Sequence, residues 1–490
     1  MLAAVPPIPR SPGFASRHRK KLAALAFLGI GLPVAHGVVG AATRIRPPAI
    51  GAVAGEPTVS PVDSDLRILG PAYARHRGRI LEVRLAGTPE QIGHQHGRLL
   101  YPEMAANEGT LYQQLEHYVP FPPARWLLSD ISRLQFRGVD QGMPDERRHE
   151  IAAQAAAFTP DPYASFLPTY HRFVFLQSLY DIALSFEHSP LIGCTSFALT
   201  DGAAADGHAV LARNFDFEAG PVFDENKAVF LIREEGRIPY ASVSWPGLVG
   251  AVTAMNAAGL SLVVHGGRAR HPSAVGEPIM HTMREVLGRA HDTAEALAVL
   301  QSKAPMVSHL VMLVDAGGDV AIAERAPGEP TFVRRGRGKV PLTNHFEGPL
   351  ADDPENRRVE AVTSTRSRRL RLDELLAQLP SGAGVEPIVG VLRDRRGVGG
   401  EERPLGDRRT LDALIATHSV VMDATARVMW VSEGPHLVGR YLRFDVGRLL
   451  DPSFTPSAAD AVTALPADPL LTGGAYEAWV RSGSPHRGER

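Results

Sequence analysis

The single cysteine of this chain stands in a stretch whose residue types could carry nucleophilic chemistry. An apolar run begins at Cys194 and ends at a turn-rich segment, residues 201–207, which contains two Asp-Gly pairs. A second apolar run, residues 208–217, follows directly. Turn residues between two β-type runs predict a β-hairpin. The cysteine is therefore expected near the start of the first strand of that hairpin.

The pairing of the two strands decides which side chains lie beside the thiol. If the hairpin folds about Ala203 and Ala204, Cys194 lies opposite Arg213, and Asp216 follows three residues later. A nearby cation lowers the pKa of a thiol and makes it a nucleophile. The hairpin interpretation thus predicts a reactive thiol next to a guanidinium and a carboxylate.

Three other interpretations of these residues stay open at this point. A lone cysteine is often a small buried hydrophobic residue, and Arg213 with Asp216 could form an ordinary surface pair that contributes little. A papain-like dyad of Cys194 with His345 also fits the sequence separation that such proteases use. The Cys-Gly-Ser-Cys-Trp surroundings of those proteases are missing here.

The composition indicates a folded protein without a nucleic-acid or zinc signature. The 490 residues are 44% hydrophobic and 21% charged, which is enough for a sizeable core. Lys and Arg number 52 and Asp and Glu 53, so the formal charge is −1. We expect no nucleic-acid partner, no metal and no cofactor. One cysteine excludes an intramolecular disulfide, and in an exported protein such a thiol is worth attention as a reactive group.

The N-terminal segment has the pattern of an export signal. A basic run ends at Lys21, an apolar run extends from Leu22 to Val39, and small residues stand at 40–42. That order predicts a secretory signal peptide over residues 1–42 and a periplasmic or extracellular protein. An uncleaved membrane anchor over residues 22–39 is the alternative.

The rest of the chain falls into blocks of helical and strand patterns. A long helix is predicted over Arg357–Gln378 and a loop over Gly382–Arg409. Strands, two helices, strands, one or two helices and strands suggest two antiparallel sheets between helix layers. The predicted organisation is a linker at residues 43–65, a mainly helical segment at 66–193, a strand-rich domain at 194–450 and a tail at 451–490.

Six short motifs follow one another along residues 66–448. They are Gly87-Thr88-Pro89-Glu90-Gln91-Ile92-Gly93-His94-Gln95-His96-Gly97, Gly193-Cys194-Thr195-Ser196, Arg213-Asn214-Phe215-Asp216, Met255-Asn256-Ala257-Ala258-Gly259-Leu260, Leu342-Thr343-Asn344-His345-Phe346 and Ser432-Glu433-Gly434-Pro435. In this order they resemble the penicillin acyltransferase-like (peptidase C45) family of N-terminal nucleophile hydrolases, relatives of bile salt hydrolases and acid ceramidase.

The resemblance implies a fold and a precursor. The fold would be a four-layer αββα sandwich of the α+β class, preceded by the helical pro-segment at residues 66–193. The precursor would cut itself between Gly193 and Cys194, and the cleaved pro-segment would remain bound as a second chain. The new α-amino group of Cys194, with a reference pKa of about 7.7–8, would take the thiol proton without a histidine base.

The resemblance also assigns roles to individual residues. Asp216 would hold the new amino group, Arg213 would support the thiolate, and Asn344 would donate to the oxyanion or orient the amine. Arg368 is the expected active-site arginine, and Arg366 and Arg369 are its neighbours in sequence.

The oxyanion hole is where this chain departs from bile salt hydrolases. Those enzymes use an asparagine at a position where this chain has His265-Gly266. The resemblance leaves two roles open for His265. Either its ring or a nearby backbone N–H donates to the oxyanion, or the residue is a buried structural histidine.

These observations predict an exported, self-processing cysteine amidohydrolase or acyltransferase. It would take an acyl group from a small-molecule amide as a thioester on Cys194 and pass it to water or an amine. Three alternatives remain. They are a phospholipase B-like lipid amidase or esterase on the same scaffold, a papain-like Cys194/His345 hydrolase, and a surface-binding protein with a dead site.

Overall fold

The computed structural model of the chain describes residues 27–61, 63–185, 192–217, 222–273, 276–457 and 460–483. Contacts divide the chain into two compact units. Unit 1 comprises Met1–Ile45 and Tyr112–Gly138, and unit 2 comprises Arg46–Leu111 and Val139–Arg490. The first 26 residues, where the export signal is expected to begin, lie outside the described residues. In the described part, no helix is both long and apolar enough to cross a membrane.

The helices are numbered here in chain order. They are α1 (Leu32–Ala42), α2 (Pro89–Leu99), α3 (Tyr101–Tyr118), α4 (Pro122–Gln135), α5 (Asp145–Ala157), α6 (Thr169–Gln177), α7 (Leu179–Ser185), α8 (Val222–Glu225), α9 (Ile279–Arg289), α10 (Thr293–Gln301), α11 (Pro354–Val362), α12 (Thr365–Gln378), α13 (Val385–Leu392), α14 (Val446–Leu449), α15 (Pro469–Thr472) and α16 (Ala475–Arg481).

The strands are numbered in the same way. They are β1 (Thr58–Val59), β2 (Arg67–Leu69), β3 (Ala72–Arg77), β4 (Ile80–Gly87), β5 (Ile192–Leu199), β6 (Val210–Phe217), β7 (Ala228–Glu234), β8 (Tyr240–Ser244), β9 (Thr253–Asn256), β10 (Ser261–Gly266), β11 (His309–Val314), β12 (Val320–Arg325), β13 (Phe332–Gly336), β14 (Lys339–Leu342), β15 (Ala416–Asp423), β16 (Val428–Ser432), β17 (Tyr441–Asp445) and β18 (Ala464–Leu465).

These strands form two sheets. Sheet A has eleven strands in the order β1-β2-β3-β4-β7-β8-β9-β10-β11-β12-β13, and sheet B has seven in the order β14-β5-β6-β15-β16-β17-β18. Neighbouring strands are antiparallel except β4 and β7, which pair in parallel with Leu81 opposite Ala228. Since β4 precedes Cys194 in the chain and β7 follows it, the expected pro-segment and the expected catalytic part share one sheet.

The main hydrophobic core lies between the two sheets. Leu231, Val263 and Met312 of sheet A meet Leu211 and Val420 of sheet B there, and all are fully buried. Successive side chains of a strand point to opposite faces. The other residues of each strand therefore need a second apolar layer outside the pair of sheets.

Helices supply those outer layers. Phe197 and Ala212, on the outer face of sheet B, pack with Leu372 of α12 and Leu392 of α13. The outer face of sheet A is covered by α2, α5 and α9, where Phe230 lies beside side chains of α5 and α9. The layers are helix, sheet, sheet and helix, so the predicted four-layer αββα sandwich of the α+β class is confirmed.

The first of the six motifs has a packing role in helix α2. A Cβ on Gly93 would lie 2.1 Å from the carbonyl oxygen of Glu150, and one on Gly97 would lie 2.7 Å from that of Gln154. Helix α2 therefore contacts α5 backbone to backbone, which only glycine allows at these positions. The motif fixes the layer of helices over sheet A.

The predicted hairpin is confirmed, with a pairing shifted by two residues. Cys194 lies opposite Phe215, and Arg213 lies opposite Ser196. The predicted centre at Ala203–Ala204 was wrong because a short 3₁₀ turn, Ala205–Gly207, lengthens the connection on its second side. A shift of two keeps every side chain on the predicted face, so Arg213 and Cys194 still share one face of sheet B.

Two element boundaries differ from the sequence prediction. The helix predicted over Arg357–Gln378 is broken into α11 and α12, because Thr363 is extended (φ −117°, ψ 173°) and its hydroxyl accepts a hydrogen bond from the N–H of Thr365 at 3.3 Å. Short hydroxyl side chains that bond the backbone in this way end helices. The loop predicted over Gly382–Arg409 contains α13, whose apolar residues pack on sheet B.

Candidate active site

Cys194 lies near the start of β5 and its side chain faces the space between the sheets. It is completely buried. The Nη2 atom of Arg213 donates a hydrogen bond to its sulfur at 3.2 Å, and the same guanidinium lies 4.5 Å above the ring of Phe215. A cation on an aromatic face inside the protein is held in one orientation, so the thiol has a fixed positive neighbour.

Sheet A holds Arg213 in that position. Its guanidinium donates to the hydroxyl of Thr253 at 2.6 Å and to the carbonyl oxygens of Val252 and Val264. Arg213 is itself fully buried. Carbonyl oxygens of one sheet thus fix a cation that extends from the other, and the geometry at the thiol depends on both sheets.

The pKa of the Cys194 thiol is raised in the intact chain. Burial is the largest cause, and the charges of Arg213 and Arg368 lower the pKa by less than burial raises it. The negative charge of Asp216 raises it further. The lowered thiol pKa expected from the neighbouring cation is therefore wrong for the uncut chain, because desolvation outweighs the guanidinium.

Asn344 follows β14 and lies against the backbone of Cys194. Its Oδ1 accepts from the N–H of Cys194 at 2.8 Å and from Nη2 of Arg368 at 2.9 Å, while its Nδ2 donates to the carbonyl oxygen of Gly266 at 2.9 Å. Two donors on one atom and an acceptor on the other leave one consistent orientation of the amide. The amide oxygen of Asn344 therefore faces Cys194.

Arg368 is the arginine of α12 whose guanidinium reaches the site. It donates to the carbonyl oxygen of Cys194 and to the hydroxyl of Thr195 at 2.8 Å. Arg368 shares the buried face of α12 with Leu372 and Leu376, one and two turns further on. Its neighbours are paired elsewhere, Arg366 with Glu360 and Arg369 with Glu347 and Asp373.

Gly193 and Asp216 lie opposite each other in the β5–β6 ladder. A Cβ on Gly193 would lie 3.3 Å from Oδ2 of Asp216 and 3.8 Å from Nη2 of Arg368. Because side chains alternate along a strand, the Asp216 carboxylate and the Cys194 thiol lie on opposite faces of sheet B. The Gly193–Cys194 peptide bond is therefore flanked by a carboxylate on one side and a thiol on the other.

His265 and Gly266, the candidate oxyanion segment, lie at the end of β10. Nε2 of His265 is 2.7 Å from the hydroxyl of Ser196. Burial, with smaller effects of Arg213 and Arg368, lowers the pKa of His265 well below its ordinary value. The ring is therefore neutral, and it is positioned by a residue two places after Cys194.

His345, the partner in the papain-like alternative, contacts two threonines. Its Nδ1 is 3.1 Å from the hydroxyls of Thr343 and Thr365. Within the described ranges, Arg213 donates a hydrogen bond to the sulfur of Cys194. The geometry thus pairs the thiol with a guanidinium.

Two residues around the site were missed in the sequence. Tyr180 of α7 stacks on Phe215 at a centroid distance of 6.4 Å, and burial followed by the charge of Cys194 raises its pKa. His418 of β15 stacks on the same ring at 5.0 Å and lies 2.9 Å from the hydroxyl of Thr253. A polar residue at an inward position of an apolar strand was the available signal for His418, whereas Tyr180 carried none.

Titratable side chains in the described residues do not form a metal site, since no group of three or more His, Cys, Asp or Glu converges there. The site chemistry that the chain itself offers is a thiol, two guanidinium groups, an amide and a carboxylate around one peptide bond.

The fold agrees with the class of N-terminal nucleophile hydrolases that the resemblance implies. Residues 203–432 match the family model described as Acyl-coenzyme A:6-aminopenicillanic acid acyl-transferase, which confirms the family resemblance. The matched range contains Arg213, Asp216, Asn344 and Arg368, and Cys194 lies nine residues before it. The chain is related to acyltransferases and amidohydrolases of this class.

Other comparisons give more distant likenesses. An uncharacterized protein of Archaeoglobus fulgidus is 25% identical over 282 residues, which are 55% of this chain and 46% of the relative. The chain thus spans about half the length of the curated relative it matches.

Solved structures of three enzymes are also similar. They are the Caenorhabditis elegans ortholog of N-acylethanolamine-hydrolyzing acid amidase (14% identity, 47% of this chain and 93% of that one, TM-score 0.36), a mutant of conjugated bile acid hydrolase from Clostridium perfringens (12%, 56% and 97%, 0.37) and penicillin V acylase from Agrobacterium tumefaciens (19%, 56% and 99%, 0.35).

Proposed function

We propose that this chain is a self-processing cysteine amidohydrolase or acyltransferase that carries an acyl group as a thioester on Cys194. The observation that supports it most is the set of contacts around one residue. Arg213 bonds the sulfur of Cys194, Asn344 its N–H and Arg368 its carbonyl oxygen. The backbone N–H and C=O of any buried residue need partners, so the specific feature is the guanidinium held on the sulfur, which a buried structural cysteine does not need.

Self-cleavage would use the thiol on the preceding peptide bond. The sulfur attacks the carbonyl carbon of Gly193, the C–N bond to Cys194 breaks, and the nitrogen takes the thiol proton and becomes an amine. Water then hydrolyses the thioester and releases the carboxyl group of Gly193. Arg213 stabilises the sulfur as it becomes a thiolate, and the missing side chain of Gly193 leaves the carbonyl carbon accessible.

The amine released by that reaction would serve as the base for turnover. Its reference pKa of about 7.7–8 suits proton transfer from a thiol near neutral pH. Asn344 already accepts a hydrogen bond from this nitrogen in the uncut chain, and Asp216 lies opposite the residue before it. The same two side chains would therefore orient the amine, while the thiolate attacks the carbonyl of an amide substrate.

The side chains beyond the ring of Phe215 are mostly apolar. A small cavity of about 30 Å³ is lined mostly by apolar residues, among them Met104, Phe173, Phe223 and Trp245. The ring of Trp245 lies 5.9 Å from that of Phe215, the strand partner of Cys194. A chain of apolar rings thus leads from the nucleophile to the cavity, which favours the lipid amidase alternative as the second candidate.

Trapping of the acyl-enzyme tests the proposal. The purified chain is incubated with a panel of aryl-acyl and fatty-acyl amides, quenched in acid and digested. An acyl adduct on the peptide that begins with Cys194, removable by hydroxylamine, is the expected result. Turnover that leaves no adduct and continues in Cys194→Ala protein would refute the thioester and favour a site elsewhere in the chain.

A further inference from the structure

Unit 1 carries an unusual share of the exposed apolar surface. Ten of the eighteen large hydrophobic side chains that are exposed in the described chain lie in its described residues, 27–45 and 112–138. Three of those in α4, Leu127, Ile131 and Leu134, follow one another at intervals of four and three residues and form one stripe. The ten are Ile30, Val34, Val38, Tyr118, Phe121, Trp126, Leu127, Leu128, Ile131 and Leu134.

The charged side chains of α4 are mostly covered, whereas Glu116 and Arg137 elsewhere in unit 1 are exposed. Nδ1 of His36 on α1 is 2.9 Å from Oδ1 of Asp130 on α4, and the ring of His36 stacks on Trp126 at 5.5 Å. Arg133 is only 4% exposed, and its Nη2 would lie 2.9 Å from a Cβ on Gly40. In water, a surface helix normally exposes its charged side chains and buries its leucines. The pair α1 and α4 does the opposite, which is the arrangement expected in contact with an apolar phase.

The positive charge of the sequence on both sides of α1 indicates which apolar phase this is. Residues 1–55 contain seven Lys and Arg and no Asp or Glu. Such a segment is attracted to an anionic lipid surface, and aromatic residues such as Trp126 and Tyr118 favour the membrane–water interface. The cations are Arg10, Arg17, Arg19, Lys20, Lys21, Arg44 and Arg46.

We propose that unit 1 docks on a membrane of anionic phospholipid, with the apolar stripe of α4 and the exposed side of α1 in contact with the lipid. In this arrangement α1 is retained in the mature chain as part of the docking surface, and it is not removed with a signal peptide. The inference is independent of the reaction at Cys194, because none of its residues lies in that site.

Vesicle flotation of the purified full chain tests the proposal. The chain is expected to float with vesicles that contain phosphatidylglycerol, less with phosphatidylcholine alone, and less at high salt. Leu127→Asp with Ile131→Asp should weaken flotation by at least about tenfold. Both side chains are about half exposed, so folding of the variant should be unchanged in thermal unfolding.

A matched double variant provides the control. Val362→Asp with Val398→Asp places the same charges on exposed valines of unit 2 and should float like the unmodified chain. Equal flotation of the two double variants, or none of the unmodified chain, would contradict the docking surface. So would flotation of protein that lacks residues 1–42. If instead the unmodified chain is a dimer and Leu127→Asp with Ile131→Asp makes it a monomer without changing flotation, the stripe is a contact with a second copy.

Discussion

At the scale of single residues, three polar side chains surround Cys194. Arg213, Asn344 and Arg368 each contact Cys194, and each comes from a different element of the fold. The hairpin pattern predicted Arg213 beside the thiol, whereas Asn344 and Arg368 lie 150 and 174 residues from Cys194 and could be indicated only through the family resemblance. The choice of Arg368 among three arginines depends on which face of α12 is buried.

Replacement of Arg368 tests that choice. Arg368→Ala removes the donor to the Cys194 carbonyl oxygen and to Asn344, so the reacting groups lose their alignment, and turnover is expected to fall about a hundredfold. Arg366→Ala is the matched control, because Arg366 forms an exposed pair with Glu360 that contributes about 0–1 kcal/mol. Equal turnover rates of the two variants on one amide substrate would show that Arg368 has no role in the reaction.

Asn344 is expected to orient the amine of Cys194. Asn344→Ala should slow self-cleavage and lower turnover by about 10²–10³, the effect of removing one preorganised polar group from such a site. Cleavage is followed by mass spectrometry and turnover with an accepted amide. A loss of less than about tenfold would contradict this role, and Ser196 with His265 would then be the next pair to replace.

At the scale of elements, strand periodicity was the most informative signal in the sequence. It predicted the β5–β6 hairpin, and the two-residue error came from the short turn at Ala205–Gly207, which has no apolar pattern. Helix α13 was missed because it is only eight residues long, contains Glu386, Pro387 and Gly390, and is surrounded by Gly and Arg residues. The break before α12 was missed because it depends on one hydroxyl, that of Thr363. Local chemistry of this kind leaves hydrophobic periodicity unchanged.

Helix α7 provides a pH-dependent contact to α9. Both carboxylate oxygens of Asp181 accept from the N–H of Ile279, at 3.2 and 3.1 Å, and burial raises the pKa of Asp181 to about 7. The folded chain therefore holds a proton that the unfolded chain releases above its ordinary value of 3.8. Stability from this group is present below about pH 4 and is lost as the pH rises through about 7.

The expected difference is measured as the melting temperature against pH for the unmodified chain and for Asp181→Asn, at the same state of cleavage. The amide keeps an acceptor for the N–H of Ile279 and does not ionise. The melting temperature of the variant should therefore rise relative to that of the unmodified chain as the pH increases from about 4 to about 8. Buried His96 and His281, whose pKa values burial lowers to about 3, act in the opposite direction in both proteins and cancel in the difference. Parallel profiles would contradict the raised pKa.

At the scale of the whole molecule, the segments before and after Cys194 are built into one sandwich. Strand β4 pairs in parallel with β7, and Arg284 of α9 donates to Glu150 of α5 at 2.8 Å and to Glu234 of β7 at 3.0 Å. All three side chains are buried. A cut between residues 193 and 194 would place Glu150 in one fragment and both Arg284 and Glu234 in the other. The three side chains would still be in contact.

The two fragments are therefore expected to remain together after cleavage. Arg284→Met should destabilise the molecule by about 3–5 kcal/mol, because it leaves two buried carboxylates without this partner. Arg289→Met is the control, since Arg289 is half exposed in its pair with Glu285. Unfolding in denaturant gives the stability, and size-exclusion chromatography shows whether the fragments elute as one species. Separate elution of the unmodified fragments would contradict the shared sandwich.

Intact mass spectrometry of the unmodified chain and of Cys194→Ala tests the central claim most directly. The unmodified protein should give two masses, one ending at Gly193 and one corresponding to residues 194–490, because the proposed mechanism has the Cys194 thiol attack the peptide bond before it. Cys194→Ala should give one uncut mass, and Cys194→Ser, a weaker nucleophile, should be cut slowly. An active unmodified protein that remains a single chain would contradict the claim, and so would a Cys194→Ala protein that is cut at the same bond.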